Sequence, residues 1–338
     1  MAQEPTAIRQ VAARRDPDAP ARPRPGPAGG NLDRAAVLVP CYNEAPTIAS
    51  VVAGFGASCP RARIYVYDNN STDRTVEIAR EAGAEVRAEH RQGKGHVVRR
   101  MFTDIDADCY ILVDGDDTYD PRVAQRLVEL VVDQHYDFVN VARVSTSAEA
   151  YRTGHRLGNR VLNRLVRTFF GRESRDMLSG YKALSRRFVK SFPAMSRGFE
   201  IETELMVHAL EMRVPMLEIS APYRERPAGS SSKLHTIRDG LRIMFLISRL
   251  VKNERPLQFF AGIGIFVILA AVLLGIPILT TFIATGLVPR LPTAVLCMGL
   301  VVLGWLSIFA GLILDVVTKA RQELKRLFYL SIPPAGSR

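Results

Sequence analysis

Short apolar runs alternate with longer stretches of helical periodicity over the first half of the chain. The apolar runs predict strands at residues 35–40, 63–67, 85–88, 109–113 and 137–142. The stretches between them predict helices at residues 47–55, 72–82, 96–105 and 121–133. Strands that alternate with helices in this way are typical of βαβ units, whose strands form a mainly parallel sheet. The pattern therefore predicts an α/β fold.

Polar residues directly follow three of the predicted strands. Asn43 and Glu44 come after the first strand, DNNSTD at 68–73 after the second, and DGDD at 114–117 after the run CYILV. In parallel sheets, ligands bind beyond the carboxyl ends of the strands. Three polar clusters at one rim of the sheet therefore predict a binding site of the nucleotide type.

The DGDD cluster is a candidate for metal chemistry. Carboxylates crowded at the end of a buried strand repel one another, and a hard divalent cation such as Mg²⁺ relieves that repulsion while it also binds substrate phosphates. Gly115 allows close approach of the backbone. The alternative is an Asp-rich turn that only starts the next helix, with Asp120 as N-cap and Pro121 in the first turn. That alternative accounts for Asp120 but leaves Asp114 and Asp116 unexplained.

Two long uncharged runs, residues 256–289 and 291–314, occupy the C-terminal part of the chain. Each exceeds the roughly 20 apolar residues that span a bilayer, which favours membrane helices at about 257–284 and 292–314 over buried helices of a soluble protein. Basic residues flank the pair on both sides, namely Arg249, Lys252, Arg255, Lys319, Arg321, Lys325 and Arg326. The positive-inside rule then predicts a hairpin with both ends in the cytoplasm.

Two further segments combine basic and apolar residues at helical spacing. Within residues 141–175, arginines recur every three or four positions at Arg156, Arg160, Arg164 and Arg167, with leucine, valine and phenylalanine between them. Residues 236–255 have a similar character. We interpret both as helices on the membrane surface whose arginines contact lipid phosphate. Alternatives are a solvated helix face or a helix that binds nucleic acid, but the adjoining apolar runs favour lipid and predict no nucleic-acid partner.

Composition adds charge, thiol and boundary information. The 338 residues carry a formal net charge of +11, which suits anionic lipid or phosphorylated substrates. The four cysteines show no CxxC spacing and predict reduced thiols of an intracellular protein. Residues 1–33 are rich in Pro, Ala and Arg, which indicates a disordered tail and no signal peptide. The expected domains are a catalytic domain at 34–235, a juxtamembrane helix at 236–256, the hairpin at 257–318 and a basic tail at 319–338.

An ordered series of motifs runs along most of the chain. VPCYNE, DNNSTD, GKGHVVR and DGDDTYD are followed by DMLSGY at 176–181, GFEIETE at 198–204 and SSSKL at 230–234. The chain thereby resembles family 2 glycosyltransferases of the GT-A fold over about residues 34–320. With its two apolar helices it is similar to polyprenyl-phosphate glycosyltransferases, the dolichyl-phosphate-mannose-synthase-like branch. Thr118 departs from the pattern, because relatives have a metal-assisting glutamine there, and this leaves the third metal ligand open.

The resemblance implies a membrane-bound, metal-dependent, inverting enzyme that moves a hexose from a nucleotide sugar to a polyprenyl phosphate of undecaprenyl or dolichyl type. UDP-glucose and UDP-N-acetylglucosamine are the favoured donors, Mg²⁺ or Mn²⁺ the cofactor, and a homo-oligomer, a tetramer, the expected assembly. The expected location is the plasma (inner) membrane, with the catalytic domain on the cytoplasmic face.

Two other functions stay open at this point. One is transfer to a polysaccharide or protein acceptor; processive enzymes of that kind carry more membrane spans and a QxxRW-type motif, which this sequence lacks. The other is a non-catalytic membrane sensor of sugar nucleotides, against which the intact DGD cluster argues.

The resemblance assigns candidate roles to four groups of residues. The catalytic candidates are Asp114 and Asp116. The donor-binding candidates are Pro40, Tyr42, Asn43, Glu44, Asp68, Asn70, Lys94, Asp114, Gly115, Asp116 and Lys233. The candidate metal ligands are Asp116, Asp114 and Thr118. The candidates for the acceptor phosphate are Arg143, Arg156, Asn159 and Ser179.

Two of the donor-side residues carry a more specific expectation. By resemblance, Asp68 accepts a hydrogen bond from the nucleotide base, while Ser71 or Thr72 is expected to cap the helix that follows. Lys94 lies between two glycines, so its amine is expected to approach phosphate without steric hindrance. The alternative for Lys94 is a solvated basic turn.

Two arginines are expected to meet at the acceptor phosphate. Arg143 follows the predicted strand at 137–142, and Arg156 opens the basic amphipathic segment. Guanidinium groups form charge-assisted, often bidentate bonds with phosphate. The two side chains are therefore predicted to hold the lipid phosphate from the strand end and from the membrane surface.

Overall fold

A computed structural model describes residues 34–145, 176–198, 200–224, 252 and 255–334 of the chain. The chain divides into two compact units, one formed by Met1–Gly240 with Lys325–Arg338 and the other by Leu241–Leu324. Most of the two basic amphipathic segments, together with Arg156, Asn159 and Lys233, lies outside the described residues.

A seven-stranded sheet forms the centre of the first unit. Its strands are β1 (Ala35–Cys41), β2 (Arg63–Asp68), β3 (Glu85–Ala88), β4 (Cys109–Leu112), β5 (Phe138–Ser145), β6 (Lys182–Ser185) and β7 (Met216–Tyr223). Their order in the sheet is β3-β2-β1-β4-β6-β5-β7. All neighbouring pairs are parallel except those of β6, which runs antiparallel to both β4 and β5. The predicted α/β fold with a mainly parallel sheet is confirmed.

Helices and one short turn connect the strands. The helices are α1 (Ile48–Ser58), α2 (Thr75–Glu81), α3 (Lys94–Asp104), α4 (Ala124–Val132), α5 (Arg186–Ser191) and α6 (Ile201–Met212). A 3-10 turn at Pro121–Val123 precedes α4, and the Asp120 side chain accepts a hydrogen bond from the Arg122 amide there, as the N-cap prediction requires. Strand β5 extends three residues beyond its predicted end because it pairs with β7 over its whole length.

The core lies around the central strands. β4 is buried at all four positions and β1 at six of seven, so both strands are covered on both faces. Strands enclosed in this way consist of nearly continuous apolar residues, which is why the sequence predicted them well. Helices α1 and α4 contribute Val51, Phe55, Leu127 and Val131 to the same cluster. The burial fixes the register of the central strands, and with it the position of the loops that follow them.

The second unit contains two long apolar helices, α7 (Pro256–Thr285) and most of α8 (Leu291–Ser331). Each helix contains an 18-residue stretch of high mean hydropathy, 2.8 in α7 and 2.4 in α8, so both are long and apolar enough to cross a membrane, by length and composition. Gly264 and Gly304 face each other closely, since a Cβ atom on either would contact the carbonyl oxygen of the other. The Ser307 hydroxyl donates to the Phe260 carbonyl at 2.9 Å. Small residues thus bring the two helices together, as in membrane helix pairs.

Candidate active site

The loops after β1 and β2 form the first side of the site. The two strands are paired up to Cys41 and Asp68, so their following loops begin side by side. The Asn43 amide donates to Ser71 Oγ at 2.8 Å, and Asn43 Oδ1 accepts from the Thr72 amide at 2.7 Å. These bonds hold two segments of distant sequence in one fixed arrangement at the rim of the sheet.

Helix α2 begins differently from the prediction. It starts at Thr75, and its N-cap residue Arg74 makes no capping hydrogen bond with its side chain. The expectation that Ser71 or Thr72 caps this helix was wrong, because both residues bond to the loop after β1. Asp73 lies closest to a cap, since its Oδ1 accepts from the Thr75 amide at 3.0 Å. A tertiary contact has displaced the local one that the sequence favoured.

The predicted donor-side residues lie along these loops. Asp68 is buried, and its carboxylate accepts from the Ser71 amide at 3.2 Å. Glu44 is buried and Pro40 half-buried, while Tyr42 and Asn70 are exposed. The assignment of donor-binding roles to these residues stays a prediction that their placement at one rim supports.

Asn69, which the sequence did not single out, positions the GKG turn. Its Nδ2 donates to the carbonyls of Glu89 and Arg91, both at 2.8 Å, and its Oδ1 accepts from the Gly93 amide at 2.7 Å. All three polar contacts of this buried amide go to the segment just before Lys94. The end of β2 therefore fixes the start of α3.

The glycines that flank Lys94 have a packing role that the sequence did not indicate. A Cβ atom on Gly93 or Gly95 would overlap with the backbone of residues 196–197, and the Gly95 amide donates to the Arg197 carbonyl at 3.1 Å. Gly93 also has a φ of +128°, which glycine adopts without strain. The glycines make room for a neighbouring backbone, and the unhindered approach of the lysine amine to phosphate stays a prediction.

Lys94 joins two carboxylates. Its Nζ donates to Asp114 Oδ1 and to Glu202 Oε1, and its side chain is only 9% exposed. Burial opposes its charge, but the nearby charges of Asp114 and Glu202 outweigh burial and raise the pKa of the amine. Lys94 is therefore a buried cation at neutral pH, and the alternative of a solvated basic turn is excluded.

Glu202 is the residue of this cluster that sequence reasoning missed. It lies in the first turn of α6 with a side chain 5% exposed. Its Oε1 binds Lys94, but its buried Oε2 has no hydrogen-bond partner within the described part of the chain. Burial raises the pKa of its carboxyl, Lys94 opposes that shift and Asp114 adds to it. Buried polar atoms without partners are few in native proteins, so this oxygen indicates a missing hydrogen-bond donor.

Gly180 explains how Asp114 fits against the sheet. A Cβ atom at position 180 would overlap with the Asp114 carboxylate, and the Gly180 amide donates to Tyr119 Oη at 2.7 Å. A Cβ atom on Gly115 would likewise lie 2.8 Å from Cys41 Sγ. Both glycines are thus required by packing around the acidic loop.

Asp116 is the most enclosed carboxylate of the loop. Its side chain accepts from Thr118 Oγ1 at 2.6 Å and from the Thr118 amide at 3.3 Å, and both residues are buried. Thr118 therefore orients Asp116. The roles of both residues as metal ligands stay predictions. Asp117 points away, with its carboxylate accepting from Ser50 Oγ at 2.7 Å.

The acidic loop also determines whether a metal fits. The described residues contain no group of three His, Cys, Asp or Glu side chains able to hold a metal ion. Asp114 and Asp116 nevertheless offer carboxylate oxygens two residues apart, the donor atoms that Mg²⁺ and Mn²⁺ prefer. Because Mg²⁺ is commonly held by one or two carboxylates plus substrate phosphates, this donor set fits a cation that binds together with a diphosphate.

Arg143 forms an ion pair with the buried carboxylate of Asp176. Its Nε and Nη2 donate to the two carboxylate oxygens of Asp176 at 2.6 and 2.8 Å, and its guanidinium lies 5.4 Å from the centre of the Tyr223 ring. Burial of Asp176 opposes ionisation, but Arg143 outweighs burial and lowers the pKa of that carboxyl. Ser179 is fully buried, and its hydroxyl donates to the Val141 carbonyl at 2.6 Å. The acceptor roles of both residues stay predictions.

Lys182 is a second buried lysine close to this cluster. Its Nζ donates to Asn140 Oδ1 at 2.8 Å and to the Ser179 carbonyl at 2.7 Å, both uncharged acceptors. Burial lowers the pKa of this amine to about 8, although the charges of Glu202 and Asp176 oppose the shift. Buried lysines and carboxylates, among them Lys94, Glu202, Lys182 and Asp176, thus lie close together in the interior next to the acidic loop.

Known proteins similar to this chain give the site a family. The profile described as Glycosyl transferase family 2 matches residues 36–192. Glycosyltransferase AglJ of Haloferax volcanii is 36% identical over 234 residues, which cover 69% of this chain and 77% of that protein. A dolichyl-phosphate hexose transferase of the same organism is 29% identical over 224 residues, 66% of this chain and 96% of that one.

A solved structure shows the same fold. Glucosyl-3-phosphoglycerate synthase of Mycobacterium tuberculosis, crystallised with Mn²⁺, UDP-glucose and phosphoglyceric acid, superposes with a TM-score of 0.54 at 22% identity. The match covers 64% of this chain and 78% of that one. The family profile and the relatives in Haloferax volcanii agree with the motifs along the rim, and the chain belongs to glycosyltransferase family 2.

Proposed function

We propose that this enzyme transfers a hexose from a nucleotide sugar to a polyprenyl phosphate at a membrane surface, with inversion and with a divalent cation. UDP-glucose and UDP-N-acetylglucosamine are the favoured donors. The observation that carries the proposal is the cluster of Asp114, Lys94 and Glu202, built beside the loops after β1 and β2. A relative named dolichyl-phosphate hexose transferase and the two long apolar helices support a lipid acceptor.

The donor nucleotide would lie along the loops after β1 and β2. Asp68 and Glu44 are buried acceptors there, and Tyr42 offers an exposed ring beside them. The loops are already tied together through Asn43, so little ordering is needed when the nucleotide binds. A structural neighbour that holds UDP-glucose supports a uridine donor.

The diphosphate and sugar would lie next to the charged cluster. Asp116 and Asp114 would hold Mg²⁺ or Mn²⁺, which when bound neutralises the charge of the departing nucleotide diphosphate. The raised pKa of Lys94 keeps its amine cationic, so it can donate to an anionic oxygen of the donor. Glu202 Oε2 is a buried acceptor without a partner among the described residues, and a hydroxyl of the sugar would satisfy it.

The acceptor needs positioning more than activation. A lipid phosphate is already anionic at neutral pH, so its oxygen attacks the sugar without a strong general base. Arg143 is held by Asp176, which fixes its guanidinium for a role in placing that phosphate. Arg156, Asn159 and Ser179 complete the proposed acceptor group. The two apolar helices would anchor the enzyme in the plasma membrane, with the catalytic domain on the cytoplasmic face. The proposed assembly is a homo-oligomer, a tetramer.

The test is to incubate the purified protein with undecaprenyl phosphate and a panel of nucleotide sugars and to weigh the lipid product. We expect one hexose to be added from a UDP-sugar when Mg²⁺ or Mn²⁺ is present. Transfer only to a polysaccharide or protein would replace the lipid acceptor. Absence of nucleotide release with every donor and acceptor would instead indicate a sensor.

Two neighbouring carboxylates provide a matched pair of variants. Asp116→Asn removes the charge of the buried carboxylate and should lower turnover about 10³-fold, the loss of several kcal/mol of charge stabilisation. Asp117→Asn makes the same change on a carboxylate that bonds Ser50, and should retain near wild-type turnover. Equal turnover of the two variants, or full wild-type activity in excess chelator, would remove Asp116 from the metal site.

A further inference from the structure

We propose that the C-terminal segment of α8, from Lys325 to Tyr329, positions the active site from a distance by holding the far end of α6. We call this segment the tail clasp. It belongs to the same compact unit as the sheet. The inference rests on the proposed function only for its kinetic readout, since its other readout measures the conformation of α6 directly.

The tail clasp binds the C-terminal end of α6 through hydrogen bonds from two basic side chains. Lys325 Nζ donates to both carboxylate oxygens of Glu211, at 3.0 and 3.1 Å, and Arg326 Nη1 donates to the Met212 carbonyl at 2.9 Å. The last carbonyls of a helix lack partners within the helix, and basic side chains stabilise them. The clasp therefore supplies α6 with a cap that comes from another part of the chain.

A second contact fixes the clasp to the sheet. Tyr329 is buried, and its hydroxyl donates to Asp137 Oδ2 at 2.6 Å. The same carboxylate accepts from Arg187 Nε and from Ser185 Oγ, both at 2.5 Å, and the Arg187 guanidinium lies 4.8 Å from the centre of the Tyr329 ring. Asp137 immediately precedes β5, so the clasp is anchored to a rigid point of the fold.

Helix α6 transmits this constraint to the active site. Ten of its twelve residues are buried, so it is packed against the rest of the unit along its whole length of about 18 Å. Its first turn carries Glu202, which binds Lys94, and Glu204, whose carboxylate accepts from the amides of Met195 and Ser196 at 2.8 and 2.7 Å. The next residues of that segment pack against the glycines on either side of Lys94. A shift of α6 would therefore disturb Lys94 from two directions.

The experiment uses three variants of the full-length protein. Lys325→Met breaks the contact with Glu211, and Tyr329→Phe removes only the hydroxyl that reaches Asp137. Lys319→Met is the matched control, because Lys319 lies on the same helix and pairs with Asp315 of that helix at 2.8 Å. A charge-swapped double variant, Lys325→Glu with Glu211→Lys, tests for rescue.

Hydrogen exchange at two amides reports on the active-site end of α6. The Glu204 amide bonds to the Glu200 carbonyl within the first turn, and the Gly95 amide bonds to the Arg197 carbonyl. We expect Lys325→Met to speed exchange at both amides about tenfold, Tyr329→Phe to do so more weakly, and Lys319→Met to have no effect. In transfer assays, kcat should fall three- to tenfold in Lys325→Met with KM for the lipid acceptor unchanged, and the charge-swapped variant should recover most of it.

Several results would overturn the proposal. One is faster exchange confined to the C-terminal end of α6, near Arg213 and Val214, with Glu204 and Gly95 unchanged. Another is equally faster hydrogen exchange at amides throughout the sheet, which would show that the tail clasp stabilises the whole unit and does not act on the active site in particular. A third is a charge-swapped variant no better than Lys325→Met. If wild-type protein transfers no sugar to any acceptor, the proposed function fails, while the exchange data still decide the role of the clasp.

Discussion

The two ends of α6 hold buried charge in opposite ways. At the N-terminal end, one lysine serves two carboxylates, and Glu202 Oε2 has no partner among the described residues. At the C-terminal end, both oxygens of Glu211 bind Lys325, and both oxygens of Asp137 have donors. Proteins satisfy buried charges where the purpose is structural and leave them unsatisfied at functional sites. This difference supports our proposal that the first end receives a ligand, whereas the second end is already complete.

Among the predictions that compare the two ends of α6, the largest effect comes from filling space beside Lys94, at the N-terminal end. Gly180→Ala places a methyl group where the Asp114 carboxylate lies, so that carboxylate must move away from Lys94. We expect turnover to fall at least about 100-fold, because displacements on the order of 1 Å at reacting groups cost this much. Steady-state kinetics of purified protein measure it.

The control for Gly180→Ala is Gly56→Ala. Gly56 lies within α1, where an added Cβ atom meets only Ile64 Cδ1, at 3.8 Å. That change should leave turnover intact and raise the free energy of unfolding by about 0.5–1 kcal/mol through helix propensity. If Gly180→Ala were as active as Gly56→Ala, Asp114 would not be the carboxylate that matters at this end.

The second prediction applies one substitution to both ends of α6. Glu202→Gln should lower kcat/KM about 30-fold while the free energy of unfolding changes by less than about 1 kcal/mol, because Lys94 keeps Asp114 as a charged partner when the charge of Glu202 is removed. Glu211→Gln should lower turnover only a few-fold but cost about 1.5–3 kcal/mol of stability, since it breaks a buried charge pair. Denaturant unfolding and kinetics on both proteins measure the two quantities. The opposite pattern would reverse the roles assigned to the two ends.

Much of the site was predictable because it follows directly from strands. Asp68, Asp114 and Asp116 stand just after apolar runs, and parallel strands bring their carboxyl ends to one rim. Glu202 was missed for a physical reason. The motif GFEIETE offers three glutamates, and α6 is buried on nearly all sides, so its periodicity does not show which one faces Lys94. Only the tertiary contact, between residues 108 positions apart, selects Glu202.

Two features of the fold left little trace in the sequence. Strand β6 has four residues, one of them the fully buried Lys182, so it does not stand out as an apolar run. The tail clasp follows a long apolar helix, and its basic residues predicted only a cytoplasmic tail. Tyr329 meets Asp137 across 192 positions of sequence, a contact that no local pattern encodes. In both places the sequence failed to show a polar side chain, Lys182 or Tyr329, that is buried by contacts with residues distant in sequence.

The predicted effect that is smallest at neutral pH concerns His208, which lies between the two ends of α6. Its ring packs against Phe188 and Phe192 at centroid distances of 5.4 and 5.3 Å, and its Nε2 is buried with no hydrogen-bond partner in the described part of the chain. Burial lowers the pKa of this imidazole to about 3, and the charge of Lys325 adds to the shift. His208 is thus uncharged at neutral pH, so its Nε2, which has no partner among the described residues, costs less than a buried charge would and needs no ligand.

Acid titration distinguishes these two kinds of unpartnered atom. In the unfolded chain, His208 takes up a proton near pH 6.5, whereas in the folded chain it does so only near pH 3. The stability that neutral His208 contributes is therefore complete above pH 6.5 and is lost as the pH falls below that value. The loss should approach about 1.4 kcal/mol per pH unit, or roughly 1.4 kcal/mol by pH 5.5. His208→Phe keeps an aromatic ring against both phenylalanines. Between pH 6.5 and 4 it should reduce the slope of the free energy of unfolding against pH by the contribution of one proton, about 1.4 kcal/mol per pH unit. Identical slopes for wild type and variant, from denaturant unfolding at each pH, would show that His208 takes up its proton in the folded state as readily as in the unfolded chain.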